Sequence, residues 1–126
     1  MPVATRRVAL VIEDEHDLRE TVAGLLEEEG YTLLTAPNGA EALRLTQQRQ
    51  PDVILLDMRL PVMDGWEFAR RYRSGPPPHA PIVVMTAAVD AQQRAREIGA
   101  TAALPKPFLV DDLLACLATL PTLPQA

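Results

Sequence analysis

A chain of 126 residues with 48% hydrophobic and 23% charged residues has the make-up of one ordinary globular domain, which excludes fibrous and intrinsically disordered classes. The formal net charge of −5 argues against nucleic acid as a direct partner, because a phosphate backbone selects clustered Lys and Arg. A single cysteine, Cys116, allows no disulfide within the monomer, and no apolar run is long enough to cross a bilayer, so the chain reads as a cytoplasmic protein.

Arg6 and Arg7 open the first apolar run, but Glu13, Asp14 and Glu15 cut it too short for a secretory signal. Val8 to Ile12 is apolar without alternation, which predicts a strand covered on both faces. Leu18, Val22, Leu25 and Leu26 then recur at helical spacing, and Gly30 stops that helix. Thr32 to Ala36 predicts a second strand. Asn38 predicts the N-cap of a helix through Ala42, Leu43 and Leu45, closed before Pro51. Val53 to Leu56 is a third strand, and Trp66 to Arg73, after Gly65, a short helix. Ile82 to Met85 is a fourth strand with Thr86 at its end. A polar helix over Ala91 to Ile98 stops at Gly99, and Ala102 to Leu104 forms a short fifth strand. The last helix is expected to carry Leu109, Leu113, Leu114 and Leu117 on one stripe, with Leu120 near its end and Cys116 as a small buried hydrophobe. Pro76 to Pro78 reads as a loop and Pro121 to Ala126 as a frayed tail. With no repeat and no linker, residues 1–126 are expected to be a single domain with a core of about 7–120 and no output domain in this chain.

Strand and helix alternate five times, which implies an α/β fold with a parallel sheet and helices on both faces. Sites in such sheets form outside the carboxyl ends of the strands, where the strand order switches. Glu13 and Asp14 follow strand one, Asp57 ends strand three, Thr86 ends strand four and Lys106 follows strand five. Any one of these acids alone reads as a helix cap or an ordinary polar strand end. Together they form an oxygen-only cluster, which repels itself unless a cation binds and which suits Mg²⁺ finished by water and a phosphate oxygen. Zinc is not served, because His16 and His79 have no matching ligands; His16 reads as a solvated residue at the start of the first helix and His79 as a loop residue. Asp57 is then a carboxylate able to attack phosphorus, with Glu13 and Asp14 holding the metal directly or through water. Lys106 would pair with one phosphate oxygen and Thr86 would donate a hydrogen bond to another.

The segments Val11-Ile12-Glu13-Asp14-Glu15, Leu55-Leu56-Asp57-Met58, Leu60-Pro61, Met63-Asp64-Gly65, Met85-Thr86-Ala87 and Leu104-Pro105-Lys106-Pro107-Phe108 stand in a telling order. In that order and at those separations, the chain resembles the receiver domain of bacterial two-component response regulators over nearly its whole length. The resemblance implies a doubly wound sheet of five strands in the flavodoxin-like order 2-1-3-4-5. It implies a phosphorelay role in which Asp57 takes a phosphoryl group from a phosphohistidine on a histidine kinase or phosphotransfer protein. It further implies Glu13 or Asp14, Asp57 and the backbone carbonyl of Arg59 as Mg²⁺ ligands, Thr86 and Lys106 as phosphate contacts, and a cis bond between Lys106 and Pro107. Members usually carry Tyr or Phe three residues before the lysine, a ring that turns inward when the threonine moves. Here that position is Ala103, and a methyl group has no such rotation to make. Glu13 is a common replacement for aspartate. Arg59 is read either as a solvated surface residue or as a partner for an acid at the pocket mouth.

Three functions compete. The first is a signalling module, not an enzyme acting on other substrates, in which the phosphoryl charge biases an equilibrium between surface arrangements and so alters binding to an unidentified protein target. The second, a Mg²⁺-dependent phosphohydrolase with an aspartyl intermediate, wants an acid two residues after the nucleophile, where this chain has Arg59. The third, a non-phosphorylated scaffold, gains from Ala103 and loses from the retained acid cluster. A monomer or weak homodimer without membrane contact is expected.

Overall fold

In the computed structural model, which describes residues 7–120, the apolar runs become five strands joined by helices. These are β1 (Val8–Ile12), α1 (His16–Glu28), β2 (Thr32–Ala36), α2 (Gly39–Gln48), β3 (Val53–Asp57), α3 (Gly65–Ser74), β4 (Ile82–Ala87), α4 (Ala91–Ile98), β5 (Ala102–Lys106) and α5 (Val110–Ala118). The strands form one parallel sheet in the order β2-β1-β3-β4-β5, the predicted arrangement. The expected tail, Pro121 to Ala126, and Arg6 lie outside the described residues. No helix among those described is long and apolar enough to cross a membrane.

Strand residues alternate between two cores, because successive side chains point to opposite faces. Leu10, Ile12, Ile54, Leu56, Ile82 and Val84 pack with Phe68, Tyr72 and Ile98 beneath α2, α3 and α4. Ala9, Val11, Val53, Leu55, Val83 and Met85 pack with Val22, Leu26 and Leu113 beneath α1 and α5. Both faces are therefore covered, which is why β1 and β3 read as unbroken apolar runs; every residue of either strand is buried.

Local chemistry sets the element ends. Asn38 caps α2 by accepting from the Glu41 N–H at 2.9 Å, and Asp64 caps α3 by accepting from the Glu67 N–H at 2.9 Å. Gly99 ends α4 in the left-handed region at φ 61°, as the C-terminal glycine rule expects. The stripe on α5 differs from expectation. Leu109 lies before the helix and is 72% exposed, and Leu114 is outside the packed cluster. Leu113, with half-buried Cys116, Leu117 and Leu120, forms the packed face instead. The helix starts at Val110, after Asp112 accepts from the Leu109 N–H at 2.9 Å, so Leu109 never enters the periodic register. His16 opens α1 and is exposed, and His79 lies in the α3–β4 loop with its Nε2 2.9 Å from the Gly75 carbonyl oxygen.

Candidate functional site

The strand order reverses between β1 and β3, since β2 lies on one side of β1 and β3, β4 and β5 on the other. The carboxyl ends of these strands bring the distant acids together. Glu13 continues β1 by donating its N–H to the Ala36 carbonyl at 3.0 Å. Asp57 is the last residue of β3 and pairs in register with Met85. Thr86 is buried one position further along β4, and Lys106 ends β5 opposite Ala87. The Lys106–Pro107 peptide bond is cis, as the resemblance implied.

Glu13, Asp14 and Asp57 each offer a carboxylate oxygen, and these oxygens all lie within 4.8 Å of one another. Glu13 is 1% exposed and Asp57 is 7% exposed, whereas Asp14 faces solvent. Lys106 Nζ donates to Glu13 Oε1 at 2.5 Å and lies 3.6 Å from Asp57 Oδ2. The other Glu13 oxygen accepts from the Glu15 N–H at 3.1 Å, and Asp57 Oδ1 accepts from the Arg59 N–H at 3.3 Å. Four of the expected side chains are thus one cluster, and Thr86 borders it by strand register. The Arg59 side chain is exposed and forms no ion pair among the described residues; its backbone turns at the pocket.

Burial pushes the Asp57 carboxyl up to about 6. Lys106 and the Arg59 N–H pull it down, while Glu13 and Asp14 push it up further. The direction matters chemically, because three acids beside one ammonium leave surplus negative charge in a partly dry place. A hard divalent cation would answer that surplus. Octahedral Mg²⁺ with bonds of about 2.0–2.1 Å places neighbouring ligand oxygens about 3 Å apart and opposite ones about 4 Å apart. Three carboxylates within 4.8 Å fit that span with little movement, and no His or Cys joins them. Gly65 lets the chain close under the site. A Cβ there would lie 2.8 Å from Met58 Cα and 3.0 Å from the Asp57 carbonyl oxygen, so only glycine admits this approach.

Two features were not read from the sequence. The ion pair between Glu13 and Lys106 joins residues with no sequence relation to announce it. Arg19 reaches back from α1 to the Glu13 carbonyl at 2.8 Å; its only sequence signal is that it is a lone base among acids. Ala103 is half-buried on β5 and pairs with Val84.

Residues 9–118 match the family model of the response regulator receiver domain. The transcriptional regulatory protein PdtaR of Mycobacterium tuberculosis is 40% identical over 114 residues, 88% of this chain and 55% of that protein. The sporulation initiation phosphotransferase F of Bacillus subtilis is 33% identical over 106 residues, covering 82% of this chain and 85% of that protein. The chain spans about half the length of the first curated relatives it matches. Among solved structures, the Vibrio cholerae chemotaxis protein CheY4 superposes with a TM-score of 0.82 at 32% identity, covering 93% of this chain and all of that one. The receiver domain of a sensor histidine kinase from Pseudomonas aeruginosa superposes with a TM-score of 0.82 at 28% identity, covering 90% of this chain and 95% of that one. That structure holds a magnesium ion coordinated in its active site cleft.

Proposed function

This chain belongs to the response regulator receiver domain family of two-component systems, and from that premise we propose that Asp57 is its phosphoryl acceptor. The observation that carries the reading is the cluster itself: Glu13, Asp14 and Asp57 within 4.8 Å, with the Lys106 ammonium 3.6 Å from the acceptor. Mg²⁺ held by Glu13, Asp14, Asp57 and the Arg59 carbonyl would neutralise charge on the transferring phosphoryl group.

The chain's own groups divide the remaining work. Asp57 is ionised above about pH 6, so at neutral pH one of its oxygens has a free pair to form the O–P bond. In transfer from a phosphohistidine the P–N bond breaks and its electron pair returns to the imidazole. Lys106 exchanges a carboxylate oxygen for a phosphoryl oxygen, and Thr86 donates its hydroxyl hydrogen to another. A groove of about 510 Å³ between α1 and the start of α5, walled in part by Lys106, offers a protein phosphodonor a place to rest beside the acceptor. Membership of the family points to a histidine kinase or phosphotransfer protein as the donor class, and to the cytoplasm as the compartment where the two would meet. The chain acts as a single receiver domain and alters its binding to a protein target when the phosphoryl charge arrives.

Ala103 favours one variant of this function. With no ring on β5 to turn inward, the change in surface proceeds without an aromatic rotation at that position. The test is incubation with acetyl phosphate and Mg²⁺ followed by intact-mass measurement. One phosphoryl adduct is expected, absent in Asp57→Asn and absent with EDTA. No adduct in the unaltered protein would leave a non-phosphorylated scaffold as the better reading. Steady phosphate release from varied substrates would favour a hydrolase.

A further inference from the structure

Arg19 is the only Lys or Arg between Glu13 and Glu29, a stretch that holds eight Asp and Glu residues. Charge alone would send it to one of those carboxylates, yet it forms no ion pair among the described residues. Its Nη1 instead donates to the carbonyl oxygens of Glu13 at 2.8 Å and of Asp14 at 3.5 Å. These are the two residues whose carboxylates face Asp57.

The connection that bears them is otherwise thinly held. Glu15 is the N-cap of α1, but its side chain makes no capping bond. The remaining ties are the Glu13 N–H on Ala36, the Glu15 N–H on Glu13 Oε2, the Arg19 N–H on the Glu15 carbonyl and the Lys106 ammonium on Glu13 Oε1. The Asp14 carboxylate has no hydrogen bond among the described residues, so its place is set by its backbone alone. Turning the Asp14 peptide unit would swing its carboxylate away from the cluster, and turning that of Glu13 would pull against its pairing with Lys106.

We propose that Arg19 is a positioning residue for the acid pocket: gripping the Glu13 and Asp14 carbonyls, it holds both carboxylates where one divalent cation can bridge them to Asp57. The inference rests on the metal-binding reading of that pocket. It also carries a sign that separates it from simple electrostatics. As a bare positive charge, Arg19 would oppose cation binding, and its removal would tighten Mg²⁺. As a grip on the loop, it favours binding, and its removal weakens Mg²⁺.

The experiment is calorimetric titration of Mg²⁺ into the unaltered protein, Arg19→Gln, Arg19→Lys and Asp14→Asn, with thermal unfolding of each recorded in EDTA. Arg19→Gln is expected to lose about tenfold or more in Mg²⁺ affinity, as supporting partners of metal ligands commonly do. Arg19→Lys keeps the charge but not the guanidinium whose Nη1 reaches both carbonyls, and is expected to recover only part of the loss. Unchanged or tighter binding in Arg19→Gln overturns the proposal, as does a lowered unfolding temperature with unchanged affinity. If Arg19→Gln does not fold, full affinity in Arg19→Lys overturns it equally. An unaltered protein that binds no Mg²⁺, or binding that survives Asp14→Asn, removes the metal-site reading and the proposal with it. Normal Mg²⁺ binding in the unaltered protein with no effect at Arg19 removes the proposal alone.

Discussion

Glu13 and Lys106, 93 positions apart in the chain, meet at 2.5 Å across the carboxyl edge of the sheet. Glu13 has almost no solvent contact, so Lys106 supplies most of what water no longer can. Replacing Lys106 with Met is expected to leave a buried carboxylate with only the Glu15 N–H. The cost falls toward the low end of about 3–5 kcal/mol, because the Lys106 side chain keeps 24% of its surface in water. Urea denaturation of Lys106→Met and of the double variant with Glu13→Gln checks this. The double variant should recover most of the loss, and a failure to recover would place the cost outside the pair.

Asp57 gives the metal-free protein a definite pH dependence. Its carboxyl sits at about 6 in the fold against 3.8 for the ordinary group, so the folded state holds its proton longer than the unfolded chain. The stabilising contribution is complete below about pH 4 and is lost as pH rises through 6, a difference on the order of 3 kcal/mol. In EDTA, Asp57→Asn should exceed the unaltered protein in stability by that order at pH 8 and lose the advantage at pH 4. A constant difference between the two across this range would contradict the argument.

Val62 sits at φ 68°, in the left-handed region where a β-branched side chain is strained, and it is 84% exposed. Its side chain gains little packing to offset that strain. Val62→Asn and Val62→Gly are therefore expected to stabilise the fold by about 1 kcal/mol, with asparagine at least equal because it loses less freedom on folding. Thermal unfolding without metal reads this directly. Two destabilised variants would mean that Val62 makes contacts worth more than its strain.

Gly65 and Gly24 should respond in opposite directions to the same methyl group. A Cβ at Gly65 meets Met58 Cα at 2.8 Å, and backbone has to move to admit it. Gly65→Ala is expected to cost about 1–3 kcal/mol and to slow adduct formation at Asp57 by shifting the β3–α3 turn. Gly24 lies inside α1 with nothing within 4 Å of such an atom. Gly24→Ala should stabilise by about 0.5–1 kcal/mol and leave adduct formation unchanged. Paired unfolding curves and mass spectra decide both halves.

The elements and the chemistry are legible in residue order alone. Val8–Ile12 and Val53–Leu56 are unbroken apolar runs because both faces of a central parallel strand are covered, and that requirement acts residue by residue. Asn38 and Gly99 mark helix ends by local hydrogen bonding and local φ, so they too were legible. The acids, the hydroxyl and the lysine announced themselves by type and by position after strands. Leu109 falls outside the expected stripe because leucine spacing alone does not tell a helical residue from one just before the helix. It takes the folded arrangement to show which carboxylate takes Lys106, that Asp57 is raised by burial, and that Arg19 holds two carbonyls rather than an acid. These outcomes depend on distances of a few ångströms between groups on separate strands. Coulomb energy and desolvation both change steeply over such distances, and residue order does not encode them locally.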